Sequence, residues 1–70
     1  MSSKKISSRS QNIKKKRKEL KLSQDKLSKL ANVAYNTVVK IESGENSNPT
    51  IETLRKIAVA LQVGVDDLIR

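Results

Sequence analysis

The 70-residue sequence has no cysteine, histidine, tryptophan or phenylalanine, and only one proline, two glycines and one tyrosine. Without cysteine there are no disulfide staples and no thiol chemistry, and without histidine as well there is no zinc-finger ligand pattern. The commonest general base is also missing. No apolar run approaches the roughly 20 residues that a membrane-spanning helix needs, and no cleavable signal pattern opens the chain. A soluble, cytoplasmic protein in a reducing compartment is therefore expected. Tyr35 is the sole aromatic residue, so the core must be aliphatic. The length admits one small domain, near the lower limit of what a single core can hold together.

What the sequence has in excess is positive charge, +8 overall. The excess is lopsided: residues 1–40 hold twelve basic and two acidic side chains, whereas residues 41–70 hold three basic and five acidic ones. Such a one-sided field implies a polyanionic partner, either nucleic acid or an anionic membrane surface.

Residues 1–10 are half serine, with Lys4, Lys5 and Arg9, and read as a flexible basic arm. The alternative is a solubilising tail. Residues 11–70 form the folded domain, in which apolar spacing and capping residues mark five short helices. The first covers residues 11–20, with Ser10 as N-cap. It is basic all round through Lys14-Lys15-Lys16-Arg17-Lys18, so at least one cation must lie against the core edge beside Ile13 and Leu20. Ser23 caps a second helix over 24–31, whose apolar stripe is Leu27, Leu30 and Ala31, and Asn32 suits a left-handed stop. A third helix runs from Ala34 or Tyr35 to Ser43 and ends before Gly44. After a polar loop, Thr50 caps a fourth helix over 51–61 with Ile51, Leu54, Ile57, Ala58 and Leu61 inward. A last helix spans 65–69. No strand signal appears, so the fold class is all-α, a five-helix bundle.

The informative stretch is residues 24–43: helix, short turn, helix. At 100° per residue, Val38 and Ile41 share one side of the third helix and face the core. Asn36, Val39, Lys40 and Ser43 lie on the opposite side, with Tyr35 at its N-terminal edge. That outward stripe suits a DNA major groove: Asn pairs with adenine, Lys reaches guanine or a phosphate, and Val touches a thymine methyl.

These segments, taken in order, resemble the phage-repressor/Cro type of helix-turn-helix, the XRE-like regulators. The resemblance covers residues 13–69. It rests on Leu22-Ser23-Gln24, on the apolar positions Leu27, Ala31, Val33, Val38 and Ile41, on Ile41-Glu42-Ser43-Gly44, on Asn48-Pro49-Thr50, and on Leu61-Gln62-Val63 with Asp66-Asp67-Leu68. It implies a lambda-repressor-like domain with a major-groove recognition helix. Base reading falls to Tyr35, Asn36 and Lys40, with Val39 beside them. Phosphate binding falls to Gln24 with Ser23 at the helix-two N-terminus, and to Ser43, Gly44, Asn46, Ser47 and Asn48. Arg17 and Glu42 match a structural ion pair, which would account for the cation on the core side of helix one. The family's C-terminal region commonly makes a two-fold dimer, so Val59, Val63, Val65, Leu68 and Ile69 are the expected interface of a homodimer. Its partner would be palindromic double-stranded operator DNA, read in major grooves about 34 Å apart.

The sequence departs from the family pattern at Asn32 (usually Gly), Ala34 (usually a capping Ser or Thr), Lys16 (often Leu), Ser28 (usually small and apolar) and Gly64 (often Ser). Together these imply a modestly stable domain. A second reading is a protein-interaction module such as an antitoxin, with another protein as main partner and DNA binding secondary; no long C-terminal segment for wrapping a toxin is apparent. Membrane anchoring is disfavoured because helix one lacks a wide apolar face. No catalytic constellation, cofactor motif or metal-ligand spacing appears, so no enzyme activity, cofactor or metal is expected.

Overall fold

The computed structural model describes residues 8–46 and 48–69, and within them every regular element is a helix. These are α1 (Ser8–Glu19), α2 (Gln24–Ala31), α3 (Tyr35–Ser43), α4 (Ile51–Leu61) and α5 (Val65–Ile69). The last four begin and end where caps and apolar spacing place them. The first does not. α1 starts at Ser8, earlier in the chain than the expected start after Ser10, and the rest of the expected arm lies outside the described residues.

Ser10 accordingly caps nothing. It sits inside α1, 1% exposed, with its hydroxyl donating to the Ile41 carbonyl near the end of α3. A small hydroxyl lets the two helices approach closely, and the bond gives a second donor to a carbonyl that already accepts from the Gly44 amide at 3.2 Å. On the other flank of α1, the Asn12 side-chain amide donates to the Leu68 carbonyl at 3.0 Å, tying α1 to α5.

The core is aliphatic throughout: Ile13 from α1, Leu27 and Ala31 from α2, Val38 and Ile41 from α3, Leu54, Ile57, Ala58 and Leu61 from α4, and Leu68 from α5. Two expected members are absent. Leu30 is 54% exposed and Ile51 is 53% exposed, because each lies at the margin of its helix's apolar arc, beyond the part that the neighbouring helices cover. Conversely, Ser28 is buried at 3% exposure without leaving an orphan hydroxyl, since its Oγ donates to the Asp25 carbonyl at 2.6 Å.

One stop signal recurs three times. Lys21, Asn32 and Gln62 all adopt left-handed backbone, with φ of 60°, 58° and 62°. In each case the amide of the left-handed residue and the next amide reach back to close the preceding helix: Lys21 to Lys18 and Leu22 to Arg17, Asn32 to Lys29 and Val33 to Ser28, Gln62 to Val59 and Val63 to Ala58. Each left-handed residue is followed by an aliphatic one, Leu22, Val33 or Val63, that packs against the core. This is the Schellman arrangement with its hydrophobic contact, built here without glycine.

At the helix starts, Ser23 Oγ accepts from the Lys26 amide and Thr50 Oγ1 from the Thr53 amide, whereas Ala34 offers α3 no side-chain cap. Gly64 likewise has no side chain to give, but Asp67 Oδ2 reaches back to accept from its amide at 3.2 Å. Two substitutions should therefore stabilise the fold. Ala34→Ser supplies the missing cap and Gln62→Gly relieves the left-handed backbone, and each should raise the unfolding free energy by about 1 kcal/mol in urea titrations.

Candidate nucleic-acid interface

α3 is two-faced. Val38 and Ile41 are fully buried and Glu42 is 3% exposed, which fixes the rotation of the helix about its axis. The other side then has no freedom to turn away: Tyr35, Asn36, Lys40 and Ser43 are exposed and Val39 is half-buried. All four expected base readers thus lie on or beside the free face of one helix. None of their side chains is tied into the core.

Glu42 joins Val38 and Ile41 in fixing where α3 sits. Its carboxylate accepts from Arg17 Nε at 2.7 Å and Arg17 Nη2 at 2.9 Å, a two-pronged fork between α1 and α3. The third guanidinium nitrogen, Nη1, donates to the Leu22 carbonyl at 2.6 Å, in the linker just ahead of α2. Arg17 is itself only 8% exposed, so the cation on the core side of α1 is resolved by a partner and not by a stem reaching water. Hydrogen bonding to Glu42 pushes the Arg17 guanidinium further above its ordinary range, outweighing the opposing effect of burial, with the Glu42 charge adding to the rise. A raised folded-state value means the contribution is complete below the ordinary arginine range and is lost only on rising through the raised one. The pair therefore stays charged on its cationic side throughout the neutral range.

The same carboxylate has a third donor. Gln24, the first residue of α2, gives a hydrogen from Nε2 to Glu42 Oε1 at 3.1 Å. The sequence placed Gln24 at a phosphate and Glu42 in an ion pair, and gave no sign that the two touch. The only hint lay in the third helix's own geometry, since Glu42 is buried one step from Ile41 and must take every donor within reach. Ser10 was missed as a packing residue for a comparable reason. Its position on the arc shared by Ile13 and Arg17 was legible, but reading it as a cap placed it outside the helix.

The segments expected to contact phosphates flank α3 at its two sides. At the N-terminus of α2, the Lys26 and Leu27 amides are taken by Ser23, leaving those of Gln24 and Asp25 among the first-turn donors that helix geometry cannot satisfy internally. The negative charge of Asp25 there is offset by Lys29 at 3.2 Å. Beyond α3, Gly44 takes left-handed backbone at φ 87°, and the loop folds back on the helix end. The Asn46 amide donates to the Lys40 carbonyl at 2.9 Å, Ser43 Oγ donates to the same carbonyl and accepts from the Glu45 amide, and Asn46 Oδ1 accepts from the Asn48 amide. Ser43, Gly44, Asn46 and Asn48 thus form one self-bonded turn. Ser47 lies outside the described residues.

The expected dimer residues divide. Leu68 is 1% exposed and belongs to this chain's own core, so it has no surface to offer a partner: the short α5 turns it inward against α1 and α4. Val63 and Val65 are half-buried against the same core. Only Val59, 77% exposed, and Ile69, 42% exposed, present apolar surface. A cleft of about 120 Å³ between α1 and α5, lined by Asn12, Lys15, Lys16, Glu19, Val63, Asp67 and Leu68, includes no residue of α2 or α3. Among the described residues there is no cluster of metal-ligating side chains, and no helix is long and apolar enough to cross a membrane.

The helix-turn-helix family model matches residues 13–68, from the first core isoleucine to the last core leucine. The chain belongs to the XRE-like helix-turn-helix family. Members of that family are DNA-binding regulators, and α2 with α3 is the bihelical unit that gives it its name. Among solved structures, this XRE-like domain is similar to hydroxypropylphosphonic acid epoxidase (HppE) from S. wedmorenis, with 26% identity and a TM-score of 0.78 over 96% of this chain and 36% of that one. It is also similar to FeII HppE in complex with substrate, with 24% identity and a TM-score of 0.80 over 94% of this chain and 38% of the other. The chain thus spans little more than a third of those proteins, and the likeness is one of fold. No curated protein matches it.

Removing one partner of the ion pair leaves the other charge buried. Glu42→Ala should cost about 3–5 kcal/mol of stability in chemical denaturation, while the double substitution Arg17→Met with Glu42→Leu should recover most of that loss.

Proposed function

We propose that this protein is a sequence-specific transcriptional regulator that represses or autoregulates by binding palindromic operator DNA as a homodimer, and that it has no catalytic role. The observation that carries the reading is the fixed rotation of α3. Its buried face is locked by Val38, Ile41 and Glu42, so Tyr35, Asn36 and Lys40 are held outward as a preformed reading edge with Val39 at its margin. Phosphate contacts from the α2 N-terminus and the turn after α3 set the register, and side chains of α3 select bases. The +8 charge supplies the sequence-independent attraction.

Two copies would meet through the surface around Val59 and Ile69, the exposed apolar residues near the C-terminal end. A contact made by α4 and α5 would use no residue of α3 and would leave both reading edges free. The same surface would serve a heterologous protein partner if the chain were an antitoxin, and the two assemblies differ in stoichiometry.

Selection of random duplexes by the purified protein should return an inverted repeat whose half-sites lie about one helical turn apart. Asn36→Ala and Lys40→Ala should each weaken operator binding by about 1–3 kcal/mol and relax preference at one base position. An unchanged preference in Asn36→Ala would remove that residue from base reading. Val59→Asp should shift the protein toward monomer in sedimentation and shorten the selected site to a single half.

A further inference from the structure

We infer that Glu42 is a positioning residue for DNA binding that acts through Gln24, holding the Gln24 amide as a preset phosphate donor. The inference rests on the proposed DNA-binding reading and adds a residue to it that touches no DNA.

A free glutamine side chain can offer a phosphate either end of its amide, and only the nitrogen end can bond it. Glu42 removes that choice. It is 3% exposed and held in the ion pair by Arg17, so it acts purely as an acceptor. Facing it, Gln24 must present Nε2, and it does so at 3.1 Å. One hydrogen of that nitrogen is thereby spent on Glu42. The second diverges from it, since the amide nitrogen carries two separate donors, and is the one available to a phosphate. Gln24 is half-buried, so part of the side chain's entropy is lost before any ligand arrives.

Placing a carboxylate this close to a phosphate would ordinarily repel it. The Arg17 fork cancels the charge, and the third guanidinium bond, to the Leu22 carbonyl, holds the start of α2 against the same centre. The geometry of one buried carboxylate thus fixes the spacing between α3, which reads, and the α2 N-terminus, which anchors.

The test is a double-variant cycle with the full chain, using an operator duplex recovered by selection and sheared mixed-sequence duplex as reference. Gln24→Ala should weaken operator binding about tenfold without changing the slope of affinity against salt, because a neutral donor releases no counterion. Glu42→Asp keeps the charge but is too short to hold both Arg17 and Gln24, and should weaken binding about threefold. Because Glu42→Asp keeps the Arg17 pair that orients α3 and gives up only Gln24, the double variant should bind no more weakly than Gln24→Ala alone. Additive losses would mean that Glu42 serves the fold alone and would overturn the inference.

A second readout needs no DNA and no folded Glu42 variant. In the wild-type protein, ¹⁵N relaxation should report a rigid Gln24 side-chain amide, and a mobile one overturns the inference. Wild-type protein that binds neither duplex defeats the DNA-binding reading and this inference with it. Retained binding with additive effects defeats the inference alone.

Discussion

The Arg17–Glu42 pair is the interaction on which the rest of the molecule turns. Three helices meet at a single carboxylate, α1 through the guanidinium, α2 through Gln24 and α3 through Glu42 itself, and the approach to α2 is tied to the same guanidinium through the Leu22 carbonyl. An aliphatic core can be repacked in several ways at small cost, since its contacts have no direction. A forked ion pair cannot, because its planes and distances must match. The core of Ile13, Leu27, Val38, Ile41, Ile57 and Leu61 supplies cohesion, and the polar centre beside it selects one rotation of α3 among those the core alone would allow. That rotation decides which side chains face outward.

Economy of material explains the rest of the fold. With two glycines and one proline, the chain must turn corners using ordinary residues. It does so by repeating one left-handed stop at Lys21, Asn32 and Gln62 and securing each with the aliphatic residue that follows. The strain of three left-handed residues and the uncapped start of α3 at Ala34 are tolerated because the next helix always begins within a few residues and packs at once. Ser10 and Ser28, both buried, show the same thrift: each hydroxyl finds a backbone carbonyl, Ser10 across to α3 and Ser28 within α2.

Most of this was legible in the sequence, and the failures have identifiable causes. The ends of α2, α3, α4 and α5 follow from Ser23, Asn32, Gly44, Thr50 and apolar spacing, because caps are local. The start of α1 was not legible, since Ser8, Arg9 and Ser10 carry no apolar side chain to mark a helix and what holds Ser10 is a carbonyl 31 residues away. Leu30 and Ile51 were misplaced because periodicity gives a helix face but not how wide an arc its neighbours cover. Leu68 was assigned to a partner when it belongs to the core, for the same reason. At the candidate site, the outward stripe of α3 could be read from helical geometry. The link between Gln24 and Glu42 could not, since it joins residues 18 apart through a contact that exists only once three helices have met.

The absence of tryptophan has one more consequence. Tyr35, the sole aromatic ring, is 49% exposed and stands at the N-terminal edge of the outward face of α3. Its ultraviolet emission is therefore a built-in optical probe with no background from the interior. Quenching on contact with stacked bases would report occupancy of that face directly, without any attached dye.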